Sequence, residues 1–291
     1  MTAIEDALVR ACQTAGVNPA GRQLLHQHSN SVWLLAGGIV ARVNRSDHKG
    51  LRARESIAIT RWLASHQVPV TEPAHHQAVV VDGHIITFWV YHPQYGRATP
   101  QPAQLGAILR QLHALPLPPF GLPRYEPLTA LTQVLDSPAA AVLDAAERVW
   151  LEQACSAVIE EYGALDSELG VGLVHGDAYS GNTLWGADGN VLLGDWDEAA
   201  IAPRELDLIN TAQSARRFGT DGLDEFFAAY GTDIRTWPGC AVLQRMRDLH
   251  TLSAYIRRAG HGDQAAEGEL SHRLRTLREP GAAGERWNII A

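Results

Sequence analysis

The chain has 291 residues, 46% of them hydrophobic and 19% charged, which suits one large globular domain or two lobes sharing a cleft. No apolar run approaches the roughly 20 residues of a membrane span, and the acidic start, MTAIEDALVRACQTAG, is unlike a secretory signal. The formal net charge of -8 is unevenly spread, with residues 1–91 summing to +2 and the remainder to -10. An acidic half repels nucleic-acid phosphates and attracts a cationic small molecule, although a solvated acidic surface has the same composition.

In chain order, residues 3–16 space their apolar positions as an amphipathic helix ending near Gly16. RQLLHQHSNSVWLLAGGIVARVNR then reads as two strands, 31–36 and 39–43, joined by a Gly37-Gly38 turn. GLRARESIAITRWLASHQ sets Ile57, Trp62 and Leu63 at helical spacing. QAVVVDGHIITFWVY is a second hairpin, turned by Asp82-Gly83. The Pro- and Gly-rich HPQYGRATPQP that follows is a loop, and it divides the chain into lobes 1–91 and 92–291. Beyond it comes a helix over AQLGAILRQLHAL, then a long helix over 139–162. Two short strands, 182–185 and 191–194, turn at Asp188-Gly189, and helices follow over 204–217, 222–230, 239–259 and 264–278. The expected class is α+β, a small sheet lobe followed by a larger helical one. Cys12, Cys155 and Cys240 are isolated and odd in number, so they are expected as reduced thiols in the cytoplasm.

The densest chemistry lies in LVHGDAYSGNTLWGADGNVLLGDWDEA, residues 173–199. A carboxylate orients a hydroxyl nucleophile and takes its proton, and Mg²⁺ takes oxygen ligands from Asp and Asn. Asp177, then Asn182 five residues on, then Asp195, supply those roles in that order: Asp177 on a loop, Asn182 opening one strand and Asp195 closing its partner. Each residue alone reads equally as a cap for turn backbone. Together, His175-Gly176-Asp177 and Asn182 follow the kinase catalytic-loop pattern H-x-D-x-x-x-x-N, with a metal-binding Asp after it.

VHGDAYSGNTL and LLGDWDEAAIAPRELDL resemble the catalytic loop and the metal-binding segment of the aminoglycoside phosphotransferase and choline kinase-like family, and LGAILRQLHAL resembles the helix preceding its catalytic half. The resemblance implies a protein kinase-like two-lobe fold and phosphoryl transfer from ATP, or GTP, with Mg²⁺. It implies that His175 supports the loop by packing and hydrogen bonding and that Asp207 is a buried partner of that loop. Ser29, Asn30 and Ser31 resemble the loop that covers the phosphates, without its glycines. Arg42 stands where protein kinases carry a strand lysine, and Glu55 is its expected helix partner. Strand alternation puts Arg42 on one face with Val40, opposite Ile39, Ala41 and Val43. Trp89 and Val90 match the hinge that meets the base through backbone groups.

For the acceptor, Asp197 and Glu198 offer carboxylates, Trp196 a stacking surface, and Tyr179 borders the loop. Asp221, Asp224, Glu225 and Trp237 are further candidates, although charge on a helix is more usually a solvated face. The expected activity is transfer to a hydroxyl of a small, cationic molecule of the aminoglycoside or basic peptide antibiotic type, by a monomer or homodimer with no nucleic-acid or membrane partner. Metabolic kinases of choline, sugar, fructosamine or homoserine type use the same machinery, and a nucleotide-binding module without turnover is the further alternative.

Overall fold

The computed structural model describes residues 3–27, 30–45 and 48–290. In chain order the principal elements are α1 (Ala3–Ala15), β1 (Gln23–Gln27), β2 (Ser31–Leu35), β3 (Ile39–Arg45), α2 (His48–Ser65), β4 (Val79–Val81), β5 (His84–Val90), α3 (Pro102–His113), α4 (Thr129–Leu135), α5 (Ala145–Gly163), β6 (Val171–Val174), β7 (Thr183–Trp185), β8 (Val191–Leu193), β9 (Ala200–Pro203), α6 (Leu206–Phe218), α7 (Leu223–Tyr230), α8 (Cys240–Ala259) and α9 (Gln264–Arg278). Compactness divides the chain into two units, Met1–Leu122 with Leu173–Ala200, and Pro123–Gly172 with Ile201–Ala291. No helix among the described residues is long and apolar enough to cross a membrane.

The first unit is built on an antiparallel sheet in the order β1-β2-β3-β5-β4. Its two faces follow from strand alternation. Trp33, Leu35, Ala41, Val43, Ile86 and Phe88 point one way and bury Leu8, Ala11 and Cys12 of α1. The stripe on α1 ends where Gly16 turns left-handed at φ 68° and Val17 N–H reaches back to the Cys12 carbonyl at 2.9 Å, a Schellman stop. Each buried leucine-sized side chain in this layer contributes about 1.5–3 kcal/mol. Register carries the opposite face: Val32 pairs with Arg42 and Arg42 with Thr87, while Val40 pairs with Trp89. The same alternation therefore commits Arg42 to the face away from α1, as the sequence indicates.

The long helix expected over 139–162 is two pieces. Ser137 and Pro138 open a 3-10 turn through Val142, and α5 starts afresh at the Asp144–Glu147 capping box. Around α8 the second unit packs α4, α5, α6 and α9. Leu243, Met246, Leu252 and Ile256 form its apolar stripe. Buried among these helices, Asp248 accepts from Gln213 at 2.8 Å, Arg216 at 2.7 Å and Arg217 at 2.7 Å. Arg217 also covers the Trp287 ring at 4.2 Å. The three cysteines are buried free thiols. Burial pushes Cys12 and Cys155 up to about 11, the first against the pull of Arg22 and the second with the help of Glu152.

Candidate active site

The segment 173–200 carries the polar groups into the first unit, and the way its chain turns explains their arrangement. β7 and β8 pair through Thr183–Leu193, Leu184–Leu192 and Trp185–Val191. Gly189, at φ 76°, sits in the connecting turn. Ahead of β7, Ser180–Asn182 form a 3-10 turn, so Asn182 precedes the strand rather than opening it, and Asp195 lies beyond β8 rather than closing it. At the open end of this hairpin Gly194 N–H donates to the Asn182 carbonyl at 2.9 Å. The Asn182 amide donates to the Asp177 carbonyl at 2.8 Å. One asparagine thus ties the Asp177 loop to the residue before Asp195.

His175 makes a second tie. Its Nε2 lies 2.8 Å from the Gly194 carbonyl, and its Nδ1 lies 3.3 Å from the Asp177 N–H. Those partners require a neutral ring protonated on Nε2, because a carbonyl accepts and an N–H donates. The ring is fully buried and rests 4.5 Å from the Trp196 ring. Gly176 has φ +85°, and a Cβ there would sit 2.3 Å from the Glu198 carbonyl oxygen. Only glycine fits this close approach. A glycine between His and Asp was the available signal for it, and sequence reasoning passed over it.

Asp195 adopts the left-handed conformation, φ 61° and ψ 60°. A non-glycine residue there costs roughly 1 kcal/mol or more and marks a position fixed by its surroundings. Its side chain is 49% exposed and pairs with Arg42 at 3.0 Å. Arg42, 18% exposed, also pairs with Asp197 at 2.9 Å. Burial works against the charge of Arg42, and the Asp197 and Asp195 carboxylates outweigh it, so its pKa is raised. The expected Arg42–Glu55 pair is not formed: Glu55 pairs with Arg52 at 3.4 Å, one helical turn away.

Arg42 and Asp195 border a cavity of about 530 Å³. Val32, Val40, Trp89 and Leu184 supply apolar walls, and Arg42, Asn182 and Asp195 polar ones. Its rim includes Asn30; Ser31 is buried, and Ser29 lies outside the described residues. Trp89 donates its indole N–H to the Thr87 hydroxyl at 2.9 Å. Val90 N–H donates to the Glu72 carbonyl at 3.0 Å, and Tyr91 N–H to Gly38 at 2.9 Å. His92 also lines the cavity; burial lowers its pKa against the pull of Glu72.

The loop after β5 is stitched to the hairpin. Gln94 accepts from Trp185 N–H at 3.0 Å and donates to the Trp185 carbonyl at 3.1 Å, filling the place of a neighbouring strand. Arg97 donates to the Gly186 carbonyl at 3.2 Å, and the Trp185 indole to the Ala98 carbonyl at 2.7 Å. Neither Gln94 nor Arg97 stood out in the sequence, since a side chain imitating a peptide group leaves no local pattern.

The acceptor candidates separate. Tyr179 is 40% exposed, with its ring over Gly181, and Glu198 is exposed. Trp196 is 2% exposed and donates its indole N–H to the Leu193 carbonyl at 2.9 Å, so it is a buried wedge and not a stacking surface. In the second unit Trp237 is likewise buried, donating to the Asp166 carbonyl at 3.0 Å, and Asp224 pairs with Arg235 at 2.7 Å. Asp207 is fully buried in the first turn of α6, with its N–H on the Arg204 carbonyl at 3.2 Å. The adjacent Glu205 accepts from Ser167 at 2.7 Å and from Leu169 N–H at 2.9 Å, fixing the start of that helix.

As chemistry, the arrangement offers one carboxylate on a loop, two hard oxygen donors at a hairpin mouth and a buried guanidinium, all on one cavity-bearing unit. With the Asn182 NH₂ committed to Asp177, its carbonyl oxygen is left for another partner, and that oxygen with the Asp195 carboxylate is the donor type a small divalent cation takes.

No curated protein matches this chain. Among solved structures, the spectinomycin phosphotransferase APH(9)-Ia in complex with ADP and spectinomycin is 14% identical, covers 94% of this chain and 94% of its own, and superposes with a TM-score of 0.66. The amicoumacin kinase hAmiN in complex with AMP-PNP, Ca²⁺ and Ami is 12% identical over 91% of this chain and 93% of its own, TM-score 0.67. A choline/ethanolamine kinase family protein from Mesorhizobium loti is 19% identical over 95% and 97%, TM-score 0.60. These likenesses establish the α+β, protein kinase-like fold. The sequence pattern of the phosphotransferase enzyme family, APH, matches residues 20–243, most of the chain: the protein belongs to that family and is a phosphotransferase.

Proposed function

We propose that the protein transfers the γ-phosphoryl group of ATP, with Mg²⁺, to a hydroxyl of a small, cationic acceptor. The observation that carries this reading is the pair of ties, through Asn182 and His175, that holds the Asp177 loop against the residue preceding Asp195. Residues 1–91 serve the nucleotide, and 92–291 carry the catalytic loop and the acceptor site.

Val32, Val40 and Leu184 would hold the base, with Val90 and His92 beside them in the cavity wall. The ADP and AMP-PNP bound in the related folds support an adenine nucleotide. Asn30 and Arg42, which line the cavity, would meet the phosphates, with Ser31, next to Asn30 in sequence, buried. The Asn182 carbonyl oxygen and the Asp195 carboxylate would hold Mg²⁺, whose charge neutralises the phosphates when bound. Asp177 orients the acceptor hydroxyl and receives its proton as the new O–P bond forms and the bond from the γ-phosphorus to the ADP oxygen breaks. His175 positions the loop and transfers no proton, because both its nitrogens are committed to backbone partners.

For the acceptor, Tyr179 and Glu198 are exposed at the surface, and the excess of 10 negative charges over residues 92–291 favours a cation. The acceptors named for the related folds, spectinomycin and Ami, support an antibiotic. The choline/ethanolamine kinase family neighbour supports a metabolic amino alcohol as the second reading. A cytoplasmic site of action fits the use of ATP and the buried free thiols.

The test is ATP consumption screened over aminoglycosides, basic peptide antibiotics, amino alcohols and sugars, with Asp177→Ala beside the wild type. Turnover with one class names the acceptor. Asp177→Ala is expected to fold and bind ATP while transfer falls by about 10²–10⁴-fold. Substantial transfer by that variant removes Asp177 from the mechanism; ATP binding with no turnover on any class favours a binding module.

A further inference from the structure

The position of Arg42 on its strand asks for a carboxylate from α2, and α2 does not provide one: Glu55 is engaged with Arg52. The guanidinium is held instead from the exit of the hairpin. A single nitrogen, Nη2, lies 2.9 Å from Asp197 Oδ2 and 3.0 Å from Asp195 Oδ1. Nη2 carries two hydrogens, so these two carboxylates occupy it fully, and an anion that draws on this nitrogen must displace one of them.

The two carboxylates differ in what holds them. Asp197 belongs to the 3-10 turn Trp196–Glu198, against which α2 packs. Its neighbour Trp196 is wedged into the core and bonded to Leu193, and the Ser56 hydroxyl of α2 lies beside its carboxylate. Asp195 sits at the cavity with 49% of its side chain exposed and a left-handed backbone. An anionic ligand entering the cavity needs a donor from Arg42. The half-exposed partner can turn to solvent or to another ligand more readily than Asp197, whose side chain is 21% exposed.

We propose that Asp197 is a positioning residue of the nucleotide site: it takes the place of the helix glutamate and aims Arg42 into the cavity, while Asp195 is an exchangeable partner that releases Arg42 when phosphate oxygens arrive. Asp197 is thereby removed from the acceptor-binding set. The inference rests on the nucleotide reading of the cavity given above.

Two signs distinguish the carboxylates. Titration calorimetry with ATP, in EDTA and again with Mg²⁺, reads the affinity of the wild type, Asp197→Asn, Asp195→Asn, Arg42→Ala and Arg42→Ala/Asp197→Asn, with thermal unfolding of each to confirm folding. In EDTA, Asp197→Asn is expected to weaken ATP about 10-fold or more, whereas Asp195→Asn, which only frees Arg42, leaves ATP as tight or tighter. In the Arg42→Ala background the Asp197→Asn loss disappears, because no guanidinium remains to be aimed. Asp197→Glu restores part of the affinity. If the wild type binds only with Mg²⁺, the Arg42/Asp197 cycle is read there. An unchanged affinity in Asp197→Asn, an equal loss with and without Arg42, or a rise in acceptor KM alone overturns the inference while leaving the nucleotide site standing. A wild type that binds no ATP in either condition overturns both.

Discussion

The arginine–aspartate network around Asp248 in one compact unit and the one around Arg42 in the other are finished differently. Around Asp248 the network is closed: the Arg217 and Asp248 side chains are each 4% exposed, and the carboxylate is filled by Gln213, Arg216 and Arg217. Around Arg42 the network is open: one carboxylate is packed and the other, Asp195, is half in solvent beside a cavity. The interaction type is the same. A saturated, desolvated pair has no acceptor to spare and ties helices together, whereas a partly hydrated pair can exchange partners at little cost. Burial and saturation, more than the presence of an ion pair, therefore separate a girder from a binding group.

The largest effect should come from opening the closed network. Asp248→Ala strands two arginines and is expected to cost about 3–5 kcal/mol in denaturant unfolding, with ATP affinity of the folded molecules unchanged. A loss below about 1 kcal/mol would erase the contrast. Gly176→Ala forces a side chain onto the Glu198 carbonyl at an unfavourable φ; about 2–4 kcal/mol of stability and most of the transfer should go together. A loss of stability with transfer intact would show that the loop relaxes without moving Asp177.

Next is pH. His250, on α8 two residues after Asp248, has its pKa lowered from 6.5 to about 3 by burial, with Arg247 adding to the effect. The folded pKa lies below the unfolded one, so between pH 6.5 and 3 the unfolded chain binds the extra proton. Stability is complete above 6.5 and falls as the solution is acidified, by up to about 1.4 kcal/mol per pH unit. His250→Gln should flatten that slope in unfolding curves taken from pH 7 to 4; an unaltered slope would assign acid sensitivity elsewhere. The smallest effect belongs to the open network: Asp195→Ala should shift stability by no more than about 1 kcal/mol while abolishing transfer. A larger loss would make the open pair structural after all.

Much of the sheet was readable because turn chemistry is local. Gly37-Gly38, Asp82-Gly83 and Asp188-Gly189 each turn a hairpin in the structure. The alternation that puts Arg42 opposite Ala41 and Val43 was equally local. β1 escaped notice because Gln23–Gln27 is exposed throughout and has no apolar face to alternate. α4 escaped because it follows a left-handed Leu128 with no side-chain cap. The break before α5 was hidden by an alanine-rich run, although Asp144 and Glu147 spell its capping box. Within the site, the spacing of Asp177, Asn182 and Asp195 was legible, and the partner of Arg42 was not. Its carboxylate comes from 155 positions away, and no window of sequence contains that distance. The burial of Trp196 likewise follows from how the chain turns at Asp195.

The Gln94 amide, standing in for a strand beside Trp185, has one consequence beyond its two hydrogen bonds to that residue. It clamps the segment leaving Val90 to the hairpin whose far end carries Asn182 and Asp195, across 91 positions of sequence. The cavity is thereby given a gauge length. Anything lying from the Val90 edge to the hairpin mouth is measured against a span that Gln94 helps to fix, together with Arg97 and the Trp185 indole.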